Sequence, residues 1–178
     1  MINDIKRVSL SEEEISGIVE RLGKQITLDY QGKKPIFIGL LKGCNPFLMD
    51  LLKHVDLHCS LDYMDVSSYN GTNSTGNIKI LYDAQVDVEG KDIIIVDDIL
   101  DTGRTLQRVV ELFKHRNAKS IRLCVLLDKP EGRKVDINAD YVGGLVPNEF
   151  VVGYGLDYNE MYRNLPYIGV LKEEIYSK

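Results

Sequence analysis

Ile93-Ile-Ile-Val-Asp-Asp-Ile-Leu-Asp-Thr-Gly-Arg-Thr105 is the stretch on which the reading of this chain turns. Asp92 to Val96, after the turn Glu89-Gly90, is apolar and β-branched, as in a strand buried on both faces. Leu106, Val109, Val110 and Phe113 then follow a helical period, so the segment Asp97 to Thr105 is expected to loop from strand to helix. Such a loop presents backbone N–H groups and the positive end of the helix dipole, which together make a monophosphate site. Thr102 and Thr105 add hydroxyls, and Gly103 lets the backbone come close to the ligand. Asp97 and Asp98 stand within reach of a sugar attached to that phosphate. Carboxylates accept hydrogen bonds from vicinal hydroxyls, so the combination suggests a 5-phosphorylated ribose. Ordinary N-capping accounts for one acid, not for Asp97, Asp98 and Asp101 within five positions. Neither G-x-x-x-x-G-K-[ST] nor G-x-G-x-x-G occurs, which gives no support to P-loop or dinucleotide folds.

Outward from this stretch, helices and apolar strands alternate. Ser11 and Glu14 form a capping box, followed by Ile15, Ile18, Val19, Leu22 and Ile26 at helical spacing, in a helix expected to run to about Tyr30 and stop at Gly32. Pro35 to Leu41 reads as a buried strand. Asn45-Pro46 reads as an N-cap with proline at the first helical position, and Phe47, Leu48, Leu51, Leu52 and Val55 give that helix its apolar face. Leu57 to Tyr63 alternates like a half-exposed strand, Ser67 to Asn77 reads as a long flexible loop, and Ile78 to Tyr82 as a strand. Ile121 to Leu127 is a further buried strand, with short strands around 141–142, 150–153 and 167–171. The pattern predicts an α/β domain with a mostly parallel sheet. Ligands of such sheets bind beyond the carboxyl ends of the strands, so the loops at Lys42-Gly43, 97–105 and Asp128-Lys129 should share one rim.

Composition narrows the function. The chain has 178 residues, 22 of them basic and 27 acidic, for a net charge of −5. That is one domain's worth of chain, and its acidic balance argues against nucleic acid as a partner. Cys44, Cys59 and Cys124 are too few and too far apart for a disulfide framework or a zinc ribbon. His54 and His58 lack the surroundings of a metal site and are expected at the surface. No apolar run approaches a membrane span and the N-terminus lacks a secretory h-region, so a cytoplasmic protein without membrane contact is expected.

The 93–105 stretch resembles the phosphoribosyl-pyrophosphate (PRPP) signature of type I phosphoribosyltransferases. Gly39-Leu-Leu-Lys-Gly43, Val66-Ser-Ser-Tyr69, Leu127-Asp-Lys-Pro130, Phe150-Val-Val-Gly-Tyr-Gly-Leu-Asp-Tyr-Asn-Glu160 and Tyr162-Arg-Asn-Leu165 are similar, in order, to the hypoxanthine-guanine branch. The resemblance implies the type I phosphoribosyltransferase fold: a mostly parallel central sheet flanked by helices, with a small hood over the active site. The hood would comprise the N-terminal residues and roughly 130–178, and residues 67–77 would form a lid headed by Ser68 and Tyr69. It also implies Mg²⁺-dependent transfer of phosphoribose from PRPP to N9 of hypoxanthine or guanine, releasing pyrophosphate. Asp101 then matches the acid–base group at purine N7. Asp97 and Asp98 match the acidic pair at the ribose hydroxyls, with Asp-Asp here where many members have Glu-Asp. Thr102, Gly103, Arg104 and Thr105 hold the 5-phosphate. Lys42, Gly43 and Arg163 meet the pyrophosphate, in a loop where the family often has a cis non-proline peptide. Lys129 reads the purine 6-oxo group, Phe150 stacks on the base, Val151 acts through its backbone, and Asp157, beside the purine, is a magnesium ligand with Asp97 and Asp98. Homodimers or homotetramers are expected.

Two other readings remain open on the sequence. One is a regulator on the same scaffold that binds PRPP or nucleotides and acts on RNA or DNA; the Asp97-Asp98 pair is found in such proteins, whereas Asp101 and the stretch from Phe150 favour the enzyme. The other is an enzyme that prefers xanthine.

Overall fold

The computed structural model describes residues 1–68 and 78–177. Its centre is the strand predicted above, now seen as β5 (Asp92–Leu100). It lies between β2 (Ile36–Leu41) and β6 (Ser120–Asp128), parallel to both. β3 (Ser60–Ser68) and β7 (Tyr141–Leu145) extend the parallel set, and β4 (Ile78–Tyr82) closes one edge antiparallel to β3. The resulting six-stranded order is β4-β3-β2-β5-β6-β7.

Alternation along β5 divides the core between the two faces of this sheet. Ile93 and Ile95 face Leu106, Val109 and Phe113 of α3 (Arg104–His115). Ile94 and Val96 face the other way, onto Ile15, Val19, Leu22 and Ile26 of α1 (Glu12–Asp29) and Phe47, Leu48 and Leu51 of α2 (Asn45–Leu52). A strand covered on both sides must be apolar, which is why Ile93 to Val96, the stretch between the two helical layers, carries no polar residue.

A second, three-stranded antiparallel sheet has the order β1-β9-β8, made of β1 (Ile5–Leu10), β8 (Val151–Val152) and β9 (Ile168–Leu171). Val151, Ile168 and Val170 join the core shared by α1, α2 and the central sheet. Val152 and Leu171 turn the other way, onto Tyr162 and Leu165. The single turn α4 (Glu173–Tyr176) follows β9. No described helix is long and apolar enough to cross a membrane.

Three expectations are corrected, and one strand is added. β5 does not end at Val96; it continues to Leu100 in unbroken register with β6, so Asp97 and Asp98 are strand residues. The apolar Ile99 and Leu100 carry it on, Leu100 being fully buried. Helix α2 is capped by Cys44 rather than Asn45, with no side-chain cap bond. Ser67 and Ser68 belong to β3, paired with Lys79 and Ile78, rather than to a loop. The N-terminal strand β1 escaped the sequence reading because Lys6 and Arg7 interrupt its apolar pattern. His54 and His58 are exposed, as expected; all three cysteines are free, Cys44 and Cys124 buried and Cys59 exposed.

Candidate active site

The carboxyl ends of β2, β5 and β6 do share one rim. After Leu100 the chain passes through Asp101 and Thr102 to Gly103, the N-cap of α3, at φ 79°. A side chain there would be strained by that φ, and a Cβ would lie 2.5 Å from the Ile137 side chain, so both backbone and packing require glycine. The first helical bond runs from the Gln107 N–H to the Gly103 carbonyl at 2.9 Å. The amides of Arg104, Thr105 and Leu106 therefore lie ahead of the helical ladder and can point at an anion. The Thr102 hydroxyl accepts from the Arg104 N–H at 3.4 Å.

Asp97 and Asp98 sit where the strand meets this rim. Alternation inverts across them: beyond the pair it is Ile99 that packs on the α1–α2 side and Leu100 on the α3 side. The Asp97 carboxylate accepts the Asp98 N–H at 3.0 Å. Burial, followed by the Asp98 charge, pushes the Asp97 carboxyl well above the usual range. Burial also raises Asp98, against the opposing pull of its bond with Asp97 and of the Arg163 charge.

Gly43 packs directly against Asp98, since a Cβ on Gly43 would fall 1.7 Å from Asp98 Oδ2. The preceding Leu41–Lys42 peptide is cis, in the loop where such a bond was expected. Lys42 Nζ pairs with Glu160 Oε2 at 2.8 Å. Glu160 Oε1 pairs in turn with Arg163 Nη2 at 3.1 Å, and the same nitrogen reaches Asp157 Oδ1 at 2.9 Å. Arg163 Nη1 donates to the Gly155 carbonyl at 2.7 Å, and Gly155 lies so close to Gly43 that a Cβ would stand 2.0 Å from the Gly43 carbonyl oxygen. The 153–163 segment is thus wound onto the Lys42 loop. Tyr154, Asn159, Glu160 and Tyr162 all adopt left-handed backbone conformations within it, which L side chains seldom do without a constraint from their surroundings.

On the other side of Asp101, Lys129 Nζ lies 3.5 Å from Asp101 Oδ2, and the Lys129 N–H donates to the Leu100 carbonyl at 3.0 Å. Val151 is buried and pairs with Val170. Phe150, at 37% exposure, lies perpendicular to Tyr158 with ring centroids 5.6 Å apart and is stacked by Tyr176 at 4.9 Å. Ser68 ends β3, and Tyr69 with the rest of the lid expected at 67–77 lies outside the described residues, apart from Ser67.

The rim therefore gathers Lys42, Gly43, Asp98, Asp157 and Arg163 on one side of the β5 end, and Asp101 and Lys129 on the other. No three acidic, histidine or cysteine side chains come together as a metal-holding group among the described residues, so Asp97, Asp98 and Asp157 do not form one cage. Arg163 and the Glu160 N–H occupy Asp157 instead. Two site residues were missed in the sequence, Glu160 and Arg133. For Glu160 the signal was its place three residues before Arg163 in the quoted Phe150–Glu160 and Tyr162–Leu165 stretches. Arg133 pairs with Asp128 and donates to the carbonyls of Leu100, Asp101 and Ile137, and carbonyls leave no sequence pattern.

The family model for the phosphoribosyl transferase domain matches residues 10–159. A hypoxanthine-guanine phosphoribosyltransferase from Streptococcus agalactiae serotype V is 57% identical over 177 residues, 99% of this chain and 98% of that protein. The bifunctional protein TilS/HprT of Listeria monocytogenes serotype 4b is 57% identical over the whole chain, but the chain spans only 28% of that longer protein. The crystal structure of a hypoxanthine phosphoribosyltransferase from Staphylococcus aureus superposes with a TM-score of 0.97 at 54% identity, covering 100% of this chain and 97% of that one. With its mostly parallel sheet, its glycine-capped α3 and these matches along its length, the chain belongs to the phosphoribosyl transferase family, in the hypoxanthine-guanine branch.

Proposed function

We propose that this chain transfers 5-phosphoribose from PRPP to N9 of hypoxanthine or guanine, giving the nucleotide and pyrophosphate. The observation that carries the reading is the pairing of Asp101 with Lys129 at 3.5 Å beside the glycine-capped start of α3. One rim thus offers a phosphate cradle, a carboxylate for a purine nitrogen and an ammonium for a purine oxygen.

The 5-phosphate is held by the amides at 104–106 with the Thr102 and Thr105 hydroxyls, so its charge is met by dipoles rather than by side-chain cations. Asp97 and Asp98 accept from the ribose hydroxyls. Lys42 and Arg163 face the departing pyrophosphate, and Glu160, which pairs with both, sets them side by side. Asp101 accepts or retains the proton at N7 as N9 attacks the anomeric carbon. The Lys129 ammonium donates only, so it favours a 6-oxo group over the 6-amino group of adenine. Phe150 is given the base by the resemblance, with Tyr176 stacked on it and Tyr158 crossing it at 90° as the rings that hold it in place.

Separate carboxylates at Asp97, Asp98 and Asp157 suit Mg²⁺, which usually takes one or two protein carboxylates and completes its shell with substrate phosphates and water. When bound, the ion neutralises the pyrophosphate. The hood of the resemblance corresponds to β1, β8, β9 and the 153–163 segment, within a single domain. Assembly into dimers or tetramers and a cytoplasmic location belong to the same reading; sedimentation checks the first and cell fractionation the second.

The test is direct: incubate the chain with PRPP, Mg²⁺ and hypoxanthine, guanine, xanthine or adenine in turn. Nucleotide should form with hypoxanthine or guanine and not with adenine; no product from any oxopurine would refute the reading, and xanthine alone would move it to the xanthine enzymes.

A further inference from the structure

We infer that Arg133 is the positioning residue for Asp101, an inference that rests on the role given to Asp101 above. Arg133 is largely buried, its side chain 15% exposed, and it stands just past the 3₁₀ turn Pro130–Gly132. Nε donates to the Asp101 carbonyl at 3.0 Å, and Nη2 donates to the Leu100 carbonyl at 3.3 Å. The same Nη2 is ion-paired with Asp128, and Nη1 donates to the Ile137 carbonyl. One guanidinium therefore ties together the ends of β5 and β6 and the loop beyond them.

A buried cation is costly unless its donors are satisfied, and here the acceptors are main-chain oxygens of the site loop itself. Fixing the Leu100 and Asp101 carbonyls sets the direction in which the Asp101 side chain leaves the backbone. The carboxylate is then held opposite Lys129 Nζ, at 3.5 Å. Bonds from the Lys129 N–H to Leu100 and from the Lys134 N–H to Thr102 brace the residues on either side, at 3.0 and 2.9 Å, while Arg133 holds the carbonyl of Asp101 itself. Only a planar fork of several donors can span these acceptors at once; a lysine ammonium cannot. The aliphatic stem has a separate place, since Cδ would stand 3.0 Å from a Cβ on Gly103.

These two parts of the side chain can be separated. Arg133→Met keeps a stem under Gly103 and removes the fork. A misplacement of about 1 Å at a reacting group costs on the order of 10²-fold in rate, so kcat for hypoxanthine should fall roughly 10- to 100-fold, with the KM for PRPP changing much less. Because Arg133 acts through Asp101, the same substitution made in Asp101→Asn should lower kcat by less than about threefold. A loss of the same size in both backgrounds, or no loss in the wild type, would overturn the assignment. Arg133→Lys, which keeps the charge beside Asp128, serves the same cycle if the methionine variant does not fold. A wild-type chain inactive on every oxopurine overturns the functional reading and this inference with it, whereas an active wild type with additive losses overturns this inference alone.

Discussion

Asp97 and Asp98 are adjacent carboxylates at the mouth of a buried strand, and folding pushes both above the usual carboxylate range, Asp97 most strongly through burial and then the Asp98 charge. A carboxyl raised by folding binds its proton more tightly in the native state. Its contribution to stability is most favourable below the ordinary carboxylate range and turns into a penalty as pH rises through that range to the folded-state value. Asp97→Asn should therefore be more stable than the wild type at about pH 7, with the difference closing toward about pH 3.5. Urea midpoints at the two pH values measure this, and a variant less stable than wild type at neutral pH would contradict it. Asp101 differs in kind, being partly exposed and paired to Lys129. Asp101→Asn should lower kcat by ~10²–10⁴ while leaving the urea midpoint nearly unchanged; wild-type turnover would remove Asp101 from the chemistry. Lys129→Ala should narrow the preference for hypoxanthine over adenine, as competition between the two bases would reveal. At this scale the sequence was legible where a residue type carries its own chemistry, as in Asp101, Lys129 and Gly103. It was silent on Arg133, which has one side-chain partner, Asp128, and otherwise binds carbonyls that any residue would supply.

Elements were legible in proportion to how regularly their apolar residues recur. In α1 both bonds of the capping box form, Glu14 N–H to Ser11 Oγ at 3.2 Å and Ser11 N–H to Glu14 Oε2 at 2.7 Å. The apolar stripe from Ile15 to Ile26 is buried as its spacing demands. Ser11→Ala removes one of the two bonds and should cost about 1 kcal/mol, read as a lowered urea midpoint with an unchanged slope. Activity should persist, because α1 lies on the sheet face away from α3 and its phosphate amides. Boundaries were less legible wherever polar residues sit inside an element for chemical reasons. Asp97 and Asp98 look like the end of a strand, because carboxylates seldom occupy a buried one. Yet the pairing with β6 runs past them to Leu100 and Asp128. Holding the acids in a strand rather than a loop gives them fixed backbone positions, which a ribose-binding pair needs. Strand β1 shows the opposite case, where an edge strand carries exposed Lys6 and Arg7 and so loses its alternation.

For the whole molecule, the net charge of −5 and the polyphosphate substrate of the proposed reaction are compatible, because the phosphate cradle uses amides and the pyrophosphate side uses Lys42 and Arg163. Charges beyond about 8 Å are largely screened at physiological salt, so the remote acids matter little. The two sheets raise a separate question of cooperativity. Val151, Ile168 and Val170 of the small sheet are buried in one cluster with Phe37, Ile94 and Val96 of the large one. On its outer face the small sheet buries only Val152, Tyr162, Leu165 and Leu171. That satellite is far too small to offset the conformational entropy of ordering the segments around it. The hood should therefore have no stability of its own and unfold with the central sheet. The chain lacks tryptophan; Tyr154, Tyr158 and Tyr162 lie in the hood segments and Tyr167 and Tyr176 pack against the hood's outer cluster, together half of its 10 tyrosines, so tyrosine fluorescence weights the hood. Far-UV circular dichroism weights α1, α2 and α3. Urea transitions followed by the two signals should coincide, and Leu171→Ala should shift both midpoints together by the equivalent of about 2–5 kcal/mol. A tyrosine transition at distinctly lower urea would mean that the hood opens first, and that the shared cluster does not bind the two sheets into one cooperative unit.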